Sequence, residues 1–182
     1  LGLVGSLTVQ LARAAGCRVV GMDPDPDRCR LAEEIGCSTA TTDVDRFATE
    51  ISHVTSDMGA DGVIICAASL SSEPMELAGR VARDRSTVVV VGDVKIDVPR
   101  RLYYEKELTV RVSRSYGPGR YDHGYEEKGH DYPAGYVRWT ENRNMQAFVQ
   151  MLADGSIHTS PLVTHRFSIE DGTKAYDLIT GK

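Results

Sequence analysis

The sequence has no cysteines at metal or redox spacing. Its four, Cys17, Cys29, Cys37 and Cys66, fall at irregular separations with no C-x-x-C pair. That removes support for a zinc knuckle or a thioredoxin-like redox pair, and free thiols in a reducing, cytoplasmic setting are the expectation. No apolar run approaches the ~20 residues that a bilayer span requires, and no charged start followed by an apolar stretch reads as a signal peptide. Positive charge is not in excess either. The 21 Lys and Arg against 26 Asp and Glu leave a net charge of -5, which argues against nucleic acid or a membrane surface as the main partner. Internal repeats and low-complexity tracts are absent. The 182 residues are enough for one domain with a sizeable core.

What is present begins at the first residue. Leu1-Gly2-Leu3-Val4-Gly5 precedes a helical run, and Arg18-Val19-Val20-Gly21-Met22-Asp23 follows it. Gly2 and Gly5 have the spacing of the second and third glycines of a dinucleotide-binding turn, where one lets the backbone approach a pyrophosphate and the other lets the helix pack closely. The first glycine and the strand before it would precede Leu1, so the chain reads as such a unit truncated at its first strand. Asp23 closes an apolar run about 20 residues on, where a carboxylate accepts the two ribose hydroxyls of an adenosine half. A carboxylate there repels a 2'-phosphate, so NAD is expected over NADP.

Along the chain, Val4, Leu7, Leu11 and Ala14/Ala15 recur at helical spacing up to Gly16, and the helix N-terminus aims free N–H groups at the glycine turn. Pro24 to Pro26 read as a turn, Asp27 to Ile35 as a second helix, Thr39 to Thr41 as a short strand and Asp43 to Val54 as a third helix. Gly62 to Cys66 and Thr87 to Gly92 are uninterrupted apolar runs, expected as parallel strands covered on both faces. Ser72 to Ala82 is a helix between them, with Pro74 in its first turn. Leu108 to Val112 is a third such strand after a short connection through Arg100 to Lys106. Strands alternating with helices predict an α/β fold, a doubly wound parallel (Rossmann) sheet with its ligand at the carboxyl ends of the strands. Asp23, Cys66 to Ser69, Val91 to Asp93 and Ser113 to Ser115 would then share one edge.

The expected organisation is a dinucleotide-binding core over 1–115, a Tyr-rich ordered loop over 116–139, and return helices of the same domain over 140–182. The loop carries five tyrosines, several glycines and mixed charge, and aromatics of that kind need a surface to lie on. His123 and His130 with Asp122, Glu126, Glu127 and Asp131 lack the spacing of a helical metal pair, so solvated loop histidines are expected and no metal. Thr140 is expected to cap a helix through Ala153 whose Met145, Phe148, Val149 and Leu152 stripe is core packing. Leu162 to Phe167 reads as a short extended piece, and Ser168-x-x-Asp171 as the start of a last helix through Ile179.

In the order of these pieces the chain resembles the medium-chain dehydrogenase/reductase family, the zinc-type alcohol, polyol and threonine dehydrogenases. The matching stretches are Gly2 to Gly5, Arg18 to Asp23, Glu34 to Cys37, Val88 to Gly92, Thr164 to Phe167 and Ala175 to Leu178. Ser113 to Trp139 and Glu141 to Asn144 resemble a bacterial branch with a fused glucose-fructose-oxidoreductase-like module. The resemblance implies a pyrophosphate turn at Gly2, Leu3, Val4 and Gly5, a ribose acid at Asp23 and a basic residue over that ribose at Arg28. It also implies contacts beside the nicotinamide from Val91, Gly92 and Ser113. Cys66 and Ala67 would line the cofactor too, although Ile65 and Ala68 stand where the family often has an acid and a glycine. The family's catalytic zinc and proton relay lie in a separate preceding domain, so no catalytic residue is expected in this chain.

These readings imply NAD(H) binding for an oxidoreductase that moves a hydride between nicotinamide and a secondary alcohol, polyol or ketone, a small-molecule substrate, with this chain alone inactive. Self-association through the Leu108 to Val112 sheet edge is a further expectation, as oligomers of the family often form there. A non-catalytic NAD-sensing or structural module is the alternative. A short-chain-type sugar-nucleotide enzyme would need Tyr-x-x-x-Lys. Tyr103 and Tyr104 have no Lys four residues on, and Tyr125 is followed by Gly129.

Overall fold

A computed structural model describes residues 1–181. The chain alternates helix and strand: α1 (Leu3–Ala14), β1 (Val20–Met22), α2 (Pro26–Glu34), β2 (Thr39–Thr41), α3 (Val44–Val54), β3 (Ala60–Ile65), α4 (Glu73–Val81), β4 (Ala82–Val90), α5 (Arg100–Glu105) and β5 (Thr109–Val112). Beyond the strands come α6 (His123–Glu126), α7 (Glu141–Ala153), a 3-10 turn at Ser160–Leu162 and α8 (Gly172–Thr180). Helix starts follow local chemistry. Asp25 and Asp43 each accept a hydrogen bond from a first-turn amide, Asp27 N and Arg46 N, satisfying donors the helix itself cannot. The second helix therefore begins at Pro26, where a missing N–H costs nothing, one residue before the sequence places it.

All strand pairs are parallel, giving the Rossmann-like α/β fold. The sheet is not continuous, however. β1 pairs with β2 and, separately, β3, β4 and β5 pair in that order, with no ladder joining the two sets among the described residues. The Leu1 side chain sits against the β1 backbone instead, 3.1 Å from where a Cβ on Gly21 would stand. An apolar cluster links the halves: Phe47 and Ile51 of α3 pack with Val81 of α4, against Val20 and Met22 of β1 and Val63 of β3, with Arg80 of α4 also facing Asp45 of α3 at 3.6 Å.

The main core lies on one face of the three-stranded sheet. Ile65, Val88 and Val90 meet Met75 and Ala78 of α4 and Tyr103 of α5, whose hydroxyl donates to the Met75 carbonyl at 2.7 Å. The segment Arg100 to Lys106 is thus a core-forming helix rather than a plain connection. The opposite face is open: Ile64 is 48 % exposed and Val91 39 %. The expectation that these two apolar runs are covered on both faces does not hold, because α4 and α5 cover one side and neither α7 nor α8 buries a residue.

The α7 stripe is a second correction. Met145 and Val149 are more than half exposed and Leu152 is also exposed, so the stripe is not core packing. Thr140 occupies the N-cap position with extended backbone, yet its side chain makes no cap bond, and its buried hydroxyl has no partner. The Glu141 and Asn142 amides go instead to the Pro118 carbonyl and the Tyr125 hydroxyl. Likewise 163–168 forms no strand, and Ser168 bonds Asp171 one residue before α8 begins. The return segment is tied to α1 by Gln10, whose amide exchanges two hydrogen bonds with the His158 backbone at 3.1 and 2.7 Å, beside the buried Ile157.

The Tyr-rich stretch folds back on itself and on α7. Tyr125 stacks on Tyr132 with ring centroids 5.7 Å apart. Arg143 of α7 reaches back to Asp131 and to the Val137 and Tyr132 carbonyls, and Asn144 donates to the Tyr116 carbonyl. Loop and α7 start form one hydrogen-bonded unit, because a loop of this length can satisfy its backbone only by folding on something. No helix among the described residues is long and apolar enough to cross a membrane.

Candidate functional site

Parallel strands put all their carboxyl ends on one side, and the segments leaving those ends converge. Asp23 follows β1 directly. It is 6 % exposed, with Oδ1 accepting from the Asp25 amide at 3.0 Å. Oδ2 lies 3.7 Å from the Arg28 guanidinium. Burial alone would raise the carboxyl pKa. The Asp25 amide and Arg28 favour the charged form against it. Asp23 is thus a buried, ionised acceptor. Cys29, one turn into α2, donates its thiol to the Asp23 carbonyl at 3.4 Å and helps fix the strand end. The sequence reading did not single out Asp25 or Cys29, although an Asp just before a first-turn proline is a legible cap signal.

The glycine turn lies beside this acid. Gly2 is the extended N-cap of α1, and its carbonyl accepts from the Ser6 amide at 2.8 Å. The first amides of the helix have no intrahelical acceptor, which with the helix dipole makes the turn an anion site. Leu3 and Val4 are exposed on that turn. A Cβ on Gly2 would meet only Arg28, at 3.9 Å, so the space over this backbone is open. Gly5 is buried, and a Cβ there would come 3.7 Å from the Cys66 Cβ. That is ordinary contact: α1 passes close to the end of β3, but less tightly than a strict need for glycine would require.

Glycine is indispensable further along. A Cβ on Gly92 would overlap the Ala67 carbonyl oxygen and lie 2.7 Å from its carbon and 2.8 Å from that of Cys66. The segments after β3 and β4 cross here backbone to backbone. The Val91 and Gly92 amides both donate to the Ile65 carbonyl at 2.9 Å, and the Ser69 amide donates to the Asp93 carbonyl at 2.8 Å. With their amides committed, Val91 and Gly92 keep carbonyls as their available backbone groups. Ser113 follows β5, its amide bonded to the Val90 carbonyl at 2.8 Å and its side chain exposed. The structure therefore gathers Gly2, Leu3, Val4, Gly5, Asp23 and Arg28 at one end of the edge, and Cys66, Ala67, Val91, Gly92 and Ser113 at the other.

Among the described residues no three or more His, Cys, Asp or Glu side chains come together to hold an ion, and His123 pairs with Glu127 in the loop.

Comparison with known proteins agrees with the geometry. The chain is 28 % identical over 163 residues to an alcohol dehydrogenase of Rhizobium meliloti, covering 86 % of this chain and 46 % of that protein. It is 35 % identical over 121 residues to alcohol dehydrogenase 1 of Caenorhabditis elegans, covering 62 % of this chain and 32 % of that one. The chain thus spans less than half the length of these relatives. Among solved structures, galactitol-1-phosphate dehydrogenase from Escherichia coli superposes over 99 % of this chain and 48 % of its own with a TM-score of 0.74 and 20 % identity. An E. coli alcohol dehydrogenase complexed with cofactor NADH covers 100 % of this chain and 47 % of its own, with a TM-score of 0.69 and 20 % identity. The family model for zinc-binding dehydrogenases matches residues 4–127, and the chain belongs to that family, with a medium-chain-type Rossmann fold.

Proposed function

We propose that the chain is the NAD(H)-holding part of an oxidoreductase that transfers a hydride between the nicotinamide and a secondary alcohol, polyol or ketone. The observation that carries this is Asp23, a buried, ionised carboxylate at the end of β1 beside the open glycine turn of α1. The α1 amides hold the pyrophosphate, Asp23 accepts the ribose hydroxyls and Arg28 lies over that ribose. The free carbonyls of Val91 and Gly92 accept from the carboxamide, with Cys66, Ala67 and Ser113 closing around the ring. Bound NAD supplies the hydride chemistry; the protein supplies position and a dry edge. Polarising the substrate oxygen needs groups that the described residues do not bring together, so the chain alone binds without turning over.

Titration of reduced-nicotinamide fluorescence tests this. NADH is expected to give a saturable enhancement, with NADPH at least tenfold weaker because Asp23 repels the 2'-phosphate. Asp23→Ser combined with Pro24→Arg should invert that preference. Absence of saturable NADH binding, or a cofactor preference indifferent to Asp23, removes the proposal.

A further inference from the structure

The arginines between the end of β5 and the end of α7 fall into two kinds. Some are paired with acids, while Arg114 and Arg138 lie over aromatic rings, Tyr121 and Trp139, with no acid partner among the described residues. Of these two only Arg114 adjoins Ser113. Arg120 is matched by Glu126, and Arg143 by Asp131. His123 faces Glu127, and Asp122 is taken by the Tyr132 hydroxyl and the Gly124 and Tyr125 amides. The loop's acids adjoining these cations are therefore occupied. Arg114, one residue beyond Ser113, has no carboxylate and no hydrogen-bond acceptor for its side chain among the described residues. Its guanidinium lies 4.4 Å from the centroid of the Tyr121 ring, and that of Arg120 is at the same distance. Stacking fixes a guanidinium plane while leaving its N–H fork free. The stack is held by a backbone in left-handed geometry at Ser115 and Tyr121, where φ is 51° and 66°. Non-glycine residues keep such angles only where the surroundings over-determine them.

Its place gives this arginine meaning. Ser113 is tied to Val90 at the end of β4, directly before Val91 and Gly92. Arg114 therefore follows directly on the strand end assigned to the nicotinamide, with an exposed guanidinium over Tyr121 and no ion-pair or hydrogen-bond partner among the described residues. Such a fork matches a carboxylate or phosphate bidentately.

Resting on the NAD(H) reading above, we propose that Arg114, stacked on Tyr121 next to Ser113, recognises the anionic group of an alcohol substrate, a hydroxylated compound carrying a carboxylate or a phosphate. Neutral alcohols of the same size lack the partner for this fork and bind more weakly.

Trp139, the one tryptophan, borders the same loop and serves as reporter: its carbonyl lies 3.7 Å from the Cβ position of Gly117. The chain, with NADH present, is titrated with glycerol 3-phosphate, glycerate and glycerol while tryptophan fluorescence and the Arg114 Nε–Hε NMR signal are followed. One or both anions are expected to saturate and to move the Arg114 signal, with glycerol at least tenfold weaker. The stronger anion identifies phosphate or carboxylate as the recognised group. Arg114→Gln should weaken the anion at least tenfold, Arg114→Lys less, and Arg138→Gln not at all, with NADH affinity unchanged in each. Equal binding of glycerol, an anion response indifferent to Arg114→Gln, or no anion response overturns the proposal. So does loss of NADH affinity in Arg114→Gln, since the arginine would then face the cofactor. If the unaltered chain fails to bind NADH, the cofactor reading itself fails, which the parallel NADH titration distinguishes.

Discussion

The glycines of the site do different work, and substitution separates them. Gly92 has no room for a Cβ, because the obstructing atoms are the backbone of Ala67 and Cys66, which cannot rotate aside as a side chain can. Gly92→Ala should cost about 2 kcal/mol or more in urea unfolding, at the upper end of overpacking penalties. Gly2 meets only Arg28 at an ordinary distance, so Gly2→Ala should leave stability within about 0.5 kcal/mol. Under the NAD(H) reading it should nonetheless weaken NADH at least tenfold, because the methyl group occupies the approach to the pyrophosphate. Equal stability losses in the two variants would contradict the packing described. At this scale Asp23 was readable from its distance to the glycine turn. The Gly92 requirement was not, since it arises where two segments 25 positions apart in sequence cross. Gly5 was the reverse case: its spacing suggests a tight approach, whereas the Cys66 Cβ stands at ordinary contact. Cys29 and Cys37 are packing groups, burial pushing the Cys37 thiol up to about 11, whereas Cys17 is exposed.

Elements were legible where local signals and burial agree. Asp43 ahead of Phe47 and Ile51 marks a helix that also buries a face, while α2 was legible in its body but not at its start, where Pro26 reads as part of a turn and Asp25 proves to be the cap. α7 shows why periodicity is not burial. Its apolar spacing is helical and the helix is there, yet no residue of it is buried; a hydrophobic stripe says which face would be covered, not that something covers it. Val149→Ser should accordingly change stability by no more than about 0.5 kcal/mol, whereas a core valine reduced in the same way costs several times that. Thermal denaturation of Val149→Ser beside Val88→Ser, the latter fully buried, checks the contrast. A large loss in Val149→Ser would mean that α7 does pack in solution. The strands of β3 and β4 erred in the same direction, since a continuous apolar run predicts two covered faces and only the α4 and α5 side is covered here.

At the scale of the molecule, the acid and the nicotinamide-end residues leave different strand sets of the described chain. Asp23 follows β1 of the two-stranded sheet; Val91, Gly92 and Ser113 follow β4 and β5 of the three-stranded one. Among the described residues the two sets meet through α3 and its Phe47 and Ile51 cluster, and Thr8 of α1 contacts Cys66 at the end of β3. A dinucleotide lying along the edge would bridge them, and a mononucleotide would not. Hydrogen exchange followed by mass spectrometry, with AMP or NADH each at about 100 times its dissociation constant, reads this directly. At that saturation, amides whose opening requires ligand release slow by up to about 100-fold, equivalent to about 2.7 kcal/mol. AMP should protect 2–8 and 20–29 and leave 66–69 and 91–94 as in the free chain. NADH should protect both sets together. If AMP and NADH protect the same peptides, or if NADH leaves 91–94 unchanged, the cofactor does not span the two sheets and the assignment of Val91 and Gly92 to the nicotinamide falls while that of Asp23 stands.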